Sequence, residues 1–240
     1  MATPAAHVDF CHVDHIRINY TQQIGSGTFG TVYKGIDKET GIPVAAKYIR
    51  LSKGKKDEAL ALKEILANQA LSDHNNLVKM IHYKHDTTKG RMWVFTQYYK
   101  NGDLVKYVKN NEIDLETALT ILHGCAKGLE YMNNKPDGNV IHRDVKPRNI
   151  LISKKYGNLV VAKLADFGLA KVKSSESSMM MTGLGTSFYQ APEFFQSITQ
   201  YDKSIDAFAF AVVILQMIRV LVTGERDMES EEGNMTLIYT

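Results

Sequence analysis

From Tyr20 to Arg50 apolar and polar positions alternate, rich in Val, Ile, Thr and Tyr and punctuated by Gly and Pro, in the order "IGSGTFGTVYKGI", "DKETG" and "IPVAAKYIRL". This pattern predicts a strand, a glycine turn, a second strand, a hairpin loop and a third strand. The spacing then changes. "KKDEALALKEILANQALS" places apolar residues three and four apart among strong helix formers and predicts a helix. "NLVKMIHYKHD" and "RMWVFTQYY", on either side of the turn "TTKG", predict two more strands. Residues 20–100 therefore form a strand-rich region with one main helix.

From Asp103 onward the periodicity is helical, in "DLVKYVKNN" and "LETALTILHGCAKGLEYMNN", followed by two short strands, "ILIS" and "AKLAD". A Ser- and Met-rich loop, "KVKSSESSMMMTGLGTS", leads into "IDAFAFAVVILQMIRVLV". That last stretch is nearly all apolar, but Asp206, Gln216 and Arg219 interrupt it, and its unbroken run is only Ala207 to Leu215. A membrane span takes about twenty apolar residues, so the stretch is expected to be a buried core helix and no membrane span is expected. The boundary falls at "YYKNGDL". The expected organisation is an N-terminal extension at 1–17, a first lobe at 18–99, a second at 100–224 and a polar tail at 225–240. Two lobes joined by a hinge predict a site between them.

Composition adds exclusions. Among 240 residues, 29 basic and 26 acidic side chains leave a net charge of +3 with no basic stripe, so no nucleic-acid partner is expected. The two cysteines, Cys11 and Cys125, have no metal-type spacing and are expected to be free thiols. With no secretory pattern in "MATPAAHVDFCHVD", they point to a reducing, cytoplasmic setting.

The segment "IGSGTFGTV" contains glycines at Gly25, Gly27 and Gly30. Glycines allow backbone N–H groups to approach a phosphate closely, although a glycine-containing hairpin is the plainer reading. A dinucleotide fold needs a helix right after such a loop. Here the β-branched "TVYKGI" follows, so the loop returns strand onto strand and the dinucleotide reading fails. Lys47, in "PVAAKYI", lies on a strand behind that loop, where its ammonium can meet phosphate oxygens rather than solvent. It needs an anion to hold it; Glu64 on the predicted helix is the best supplier and Glu58 the competitor.

The most concentrated chemistry is "VIHRDVKPRNI", Val140 to Ile150. With "HRDVKPRN" at 142–149 and "DFG" at 166–168, the sequence resembles the eukaryotic protein kinases, of the serine/threonine type. The order of glycine loop, VAAK, HRD…N, DFG and APE matches the signature set of that family across about residues 20 to 224. The resemblance implies an α+β, two-lobed protein-kinase-like fold: a small β-rich N-lobe with one main helix and a mainly helical C-lobe. It implies transfer of the γ-phosphoryl group of ATP, with Mg²⁺, to Ser or Thr hydroxyls of a protein substrate.

The resemblance also implies roles. Asp144 would accept or orient the substrate hydroxyl's proton, Lys146 would neutralise charge on the transferred phosphoryl, and Asn149 and Asp166 would hold the metal. Lys47 and Glu64 would form the ion pair that positions phosphate. The nucleotide would lie against Ile24, Gly25, Ser26, Gly27, Thr28, Phe29, Gly30, Val32 and Ala45 above and Leu151 below. Hinge backbone at Gln97, Tyr98 and Tyr99 would bond the adenine edge, with Thr96 as gatekeeper. Arg143 would grip a phosphorylated activation loop, Thr182 being the expected phosphosite, reached by an activating kinase or by autophosphorylation. Thr186 would contact the catalytic pair, and Asp206 would brace the catalytic loop.

Two departures stand out. Asn68 occupies a position where the family usually has an apolar residue. Beyond the apolar helix the chain ends in "GERDMESEEGNMTLIYT", without further helices, so Glu193 of "APE" is expected to lack its usual arginine partner and one side of that helix to be exposed. The rival reading is a truncated, weakly active or inactive nucleotide-binding interaction module.

Overall fold

The computed structural model describes residues 9–27, 30–51, 59, 62, 65–66, 69–71, 73–135, 140–154, 159–166, 171–172, 187–194 and 202–229. They divide into two compact units: residues 1–72 with 79–98, and residues 73–78 with 99–240.

The first unit is a six-stranded antiparallel sheet. Its strands are β1 (Phe10–Val13), β2 (Ile16–Gly27), β3 (Gly30–Asp37), β4 (Pro43–Arg50), β5 (Met80–Asp86) and β6 (Arg91–Gln97), in the order β1-β2-β3-β4-β6-β5. Alternation along the strands buries both faces. Ile16, Ile18, Val44, Ala46, Trp93 and Phe95 form one core. On the other face Met80, Met92 and Val94 pack with Ile65, one of the helical residues between 59 and 71. The sheet begins ten residues earlier than the alternation from Tyr20 predicts. "FCHVDHIRI" carries His and Asp among its apolar residues, which hides the pattern. The tight turn at Asp14, whose φ is 52°, folds β1 directly onto β2.

The two edge strands also meet. Asp14 takes the Lys84 ammonium at 3.0 Å and His82 Nε2 at 3.0 Å, so the turn between β1 and β2 reaches β5 and the sheet curls on itself. His82 and Lys84 hold the Asp14 carboxyl below the usual carboxylate range.

In the second unit, α1 (Leu104–Asn110) and α2 (Leu115–Asn133) each start on an aspartate. Asp103 accepts from Lys106 N at 2.8 Å and Asp114 from Thr117 N at 2.7 Å, the N-cap arrangement that satisfies donors left open by the first turn. Strands β8 (Ile150–Lys154) and β9 (Val160–Leu164) form a hairpin, and β7 (Val140–Ile141) pairs with β10 (Lys171–Val172). Helix α2 lies close on β9: a side chain at Gly124 would meet Asn76 Nδ2 at 2.7 Å and Ala162 Cβ at 3.4 Å.

Helix α3 (Ser204–Thr223) is the apolar stretch, and by length and composition it is the one described helix able to cross a membrane. Its contacts show why polar residues interrupt it. Asp206, Gln216 and Arg219 are all buried and engaged with other parts of the second unit. The opposite side carries Phe208, Leu215, Ile218 and Val222, all exposed, with Val222 at 79%. The exposed side expected from the sequence is present.

Residues 225–229, read from sequence as the start of a polar tail, do not leave the unit. Gly224, at φ 71°, ends the helix in a left-handed turn and sends the chain back along it, so that Met228 is fully buried.

Candidate active site

In the first unit, register arranges the predicted residues. Gly25 pairs with Val32, Val32 with Lys47, and Lys47 with Val94; Ala45 pairs with Thr96, and Val44 with Gln97. Residues directly opposite in a ladder share a face, so Val32, Lys47 and Val94 lie on the face that packs against Ile65. Ile24 is exposed, whereas Val32, Ala45 and Lys47 are half-buried. Gly30 meets a local demand. Its φ is 139°, and a Cβ there would come within 1.9 Å of the Tyr48 carbonyl oxygen, so no other residue fits the return of β3 along β4.

At the end of β6 the backbone is partly committed. Gln97 N–H donates to Lys79 O at 3.2 Å and Tyr98 N–H to Pro43 O at 3.2 Å. In the second unit Tyr99 is buried, and its carbonyl accepts from Gly102 N at 3.1 Å. Gly27 ends β2 and Ser26, opposite Thr31, is exposed. Thr28, Phe29, Glu64, Glu58, Asn68, Thr182 and Thr186 lie outside the described residues.

The second unit gathers the catalytic-loop candidates into one cluster. Lys146 Nζ lies 2.8 Å from Asp144 Oδ1, and Asn149 Nδ2 donates to Asp144 Oδ2 at 2.8 Å and to the Asp144 carbonyl at 2.7 Å. Both oxygens of one carboxylate are therefore held, one by an ammonium and one by an amide. The 3-10 turn Pro147–Asn149 makes this possible, because it brings Asn149 back toward a residue five positions earlier. Leu151 follows on β8, half-buried and opposite Lys163.

Asp166 comes next to this cluster through the hairpin. Ile150 pairs with Leu164, and Ala165 N–H donates to the Asn149 carbonyl at 2.9 Å, so the chain ends carrying Asn149 and Asp166 run side by side. Asp166 is exposed and adopts φ 64°, a left-handed conformation uncommon outside glycine.

Below the cluster lies a brace. The Asp206 carboxylate accepts His142 N–H at 2.7 Å and Arg143 N–H at 2.8 Å. Burial pushes its carboxyl above the usual range, opposed by His142, by these two backbone bonds and by Arg143. Arg143 itself sits at φ 68°, a strained position held in place from beneath.

His142 was missed as a functional residue in the sequence. It is fully buried, with Nε2 3.0 Å from the Ala165 carbonyl and Nδ1 accepting Asp144 N–H at 3.3 Å. Those partners fix the neutral tautomer with its proton on Nε2, and the ring links Asp144 to the residue before Asp166. Its signal in the sequence was a histidine between a buried β7 and a polar run. Glu193 accepts Ser204 Oγ–H at 3.3 Å.

The comparisons agree with this geometry. The family model for the protein kinase domain matches residues 18–237. The chain belongs to the protein kinase family. Among its relatives in Arabidopsis thaliana, a leucine-rich repeat receptor-like serine/threonine-protein kinase is 35% identical over 87% of this chain and 23% of the relative. A receptor protein-tyrosine kinase is 35% identical over 92% of this chain and 22% of its own length. A PR5-like receptor kinase is 30% identical over 93% of this chain and 32% of the relative. The kinase thus spans about a third or less of the length of these curated relatives, and its two units carry the expected fold: a β-rich first lobe and a second lobe bearing the catalytic loop.

Proposed function

We propose that this kinase transfers the γ-phosphoryl group of ATP to serine or threonine hydroxyls of a protein substrate. The observation that carries the reading is the Asp144 carboxylate held at 2.8 Å by Lys146 on one oxygen and at 2.8 Å by Asn149 on the other. A carboxylate fixed in this way presents a defined acceptor for a substrate hydroxyl proton. Lys146, beside that carboxylate, would neutralise charge developing on the transferred group.

Asn149 and Asp166 fit a hard divalent ion. They supply an amide oxygen and a carboxylate from chain ends joined by the Ala165–Asn149 bond, and Asp166 is an exposed residue. Mg²⁺ bound there would neutralise negative charge on the phosphates. Lys47, on the face shared with Val32, would steady the phosphates, with Glu64 as its anion. Ile24 to Gly30, Val32, Ala45 and Leu151 would enclose the nucleotide, and Gln97 and Tyr99 would hold its edge through backbone. The phosphosite assignment to Thr182 rests on its spacing to Thr186 and on Arg143.

A cytoplasmic setting is supported by two free thiols, one of them, Cys125, buried and pushed up to about 12 by that burial. Asp206, Gln216 and Arg219 of α3 each bond to other parts of the second unit, which supports its reading as a core helix. The inactive-module reading is not favoured, because Asp144, Lys146, Arg148 and Asn149 each find a partner within the second unit. The test is incubation with Mg·ATP and a generic protein substrate, followed by identification of the phosphorylated residues. Phosphoserine and phosphothreonine are expected; phosphotyrosine alone would overturn the acceptor assignment.

A further inference from the structure

The catalytic loop is fastened at two points, one on α3 and one on the strap that follows it. At its start the Asp206 carboxylate holds the N–H groups of His142 and Arg143. At its end Arg148 makes a two-pronged ion pair with Glu229, its Nε to one carboxylate oxygen and its Nη2 to the other. Glu229 lies on the strap that runs back along α3 from Gly224, and the strap is built rather than loosely draped. Gln216 Nε2 donates to Met228 O at 2.8 Å and to the Tyr189 hydroxyl at 3.0 Å. Arg219 donates to Asp227 O at 2.6 Å and to Glu225 Oε2 at 3.0 Å. Glu229 N–H closes a local turn on Asp227 Oδ1 at 3.0 Å, and Met228 is fully buried.

Two buried polar groups in an apolar helix thus depend on strap carbonyls for satisfaction, and leaving them open would be costly. The strap is a fixed point. Arg148 is the middle residue of the 3-10 turn, whose next residue, Asn149, holds Asp144. Fixing the Arg148 side chain limits rotation of that turn, and rotation of the turn moves the Asn149 amide.

We propose that Glu229 is a positioning residue: through Arg148 it sets the orientation of the turn that presents Asn149 to Asp144. This rests on the kinase reading given above. The pair is exposed and two-pronged, so its contribution is modest and sensitive to salt.

The test compares the full chain with Glu229→Gln, Arg148→Glu and the exchanged pair Arg148→Glu/Glu229→Arg. Turnover and KM for ATP are measured, together with amide hydrogen exchange across residues 142–149. Glu229→Gln should lower kcat roughly two- to fivefold with KM for ATP unchanged, and should speed loop exchange by a similar factor. Arg148→Glu, which sets two carboxylates against each other, should be worse on both. The exchanged pair should recover most of both losses, which a role in packing alone would not allow. Wild-type values in Glu229→Gln, or no recovery in the exchanged pair, would overturn the proposal. If the wild-type chain transfers no phosphate, the kinase reading fails, and loop exchange in the same four proteins decides this inference by itself.

Discussion

The two units hold their candidate functional side chains by different physical means. In the first, Val32, Lys47 and Thr96 are placed by strand register, and the curled sheet is closed at its edges by an exposed carboxylate, Asp14, reaching Lys84 and His82. In the second, Asp144 and Asn149 lie on irregular backbone that includes Arg143 at positive φ, and a buried carboxylate, Asp206, holds that backbone from a helix more than sixty residues away in sequence. A ladder distributes its support over many equivalent bonds. A strained loop concentrates it in a few, so single substitutions in the second unit should have the larger effects.

The strongest challenge to this comparison is Asp206→Ala. It leaves the buried His142 N–H and the half-buried Arg143 N–H without their acceptor, at about 1–3 kcal/mol each, and denaturant melting should show a loss of about 2–6 kcal/mol together with loss of turnover. An unchanged melt would mean that the loop keeps its shape without the brace.

Lys47→Met probes the other kind of support. Strand register survives a side-chain change, so the melting curve should stay close to wild type while turnover falls at least about 100-fold, the result the proposed phosphate contact of Lys47 requires. Loss of folding would show that Lys47 is held for packing.

The exposed side of α3 gives a smaller, measurable effect. Phe208, Leu215, Ile218 and Val222 form a continuous apolar stripe by helical spacing. The chain should self-associate as concentration rises, and Leu215→Gln with Ile218→Gln should weaken that association several-fold in sedimentation experiments. Identical sedimentation of both proteins as monomers would contradict this.

Smallest of all is the edge closure of the first sheet. Asp14 has its carboxyl lowered in the folded state, chiefly by His82 and then by Lys84. A lowered carboxyl stabilises above its unfolded value, near 3.8, and that contribution disappears as pH falls below it. The group is largely exposed, so Asp14→Asn should cost less than about 1 kcal/mol at pH 7 and nothing near pH 2. A larger loss, or one growing toward low pH, would show that edge closure matters more than the ladders.

The same contrast explains what was legible in the sequence. Strands β3, β4 and β6 follow alternation and glycine punctuation, and α1 and α2 follow the helical spacing of "DLVKYVKNN" and "LETALTILHGCAKGLEYMNN". The Asp144–Lys146–Asn149 set was legible because all its members lie within six residues. β1 was hidden because its apolar positions are diluted by His and Asp and its partner is a neighbouring strand. The strap was hidden for a different reason. "ERDME" is polar in sequence, and nothing in it signals that buried Gln216 and Arg219 require its carbonyls, or that Glu229 meets Arg148 across eighty-one positions.

The central claim is that the second unit holds a working phosphoryl-transfer loop. Its most direct test is phosphate transfer from Mg·ATP to protein serine or threonine by the purified chain, set beside Asp144→Asn. The amide keeps the shape of the carboxylate but cannot take a proton, so turnover should fall at least about 100-fold with the melting curve unchanged. Equal turnover in the two proteins, or none in the wild type, would contradict the account.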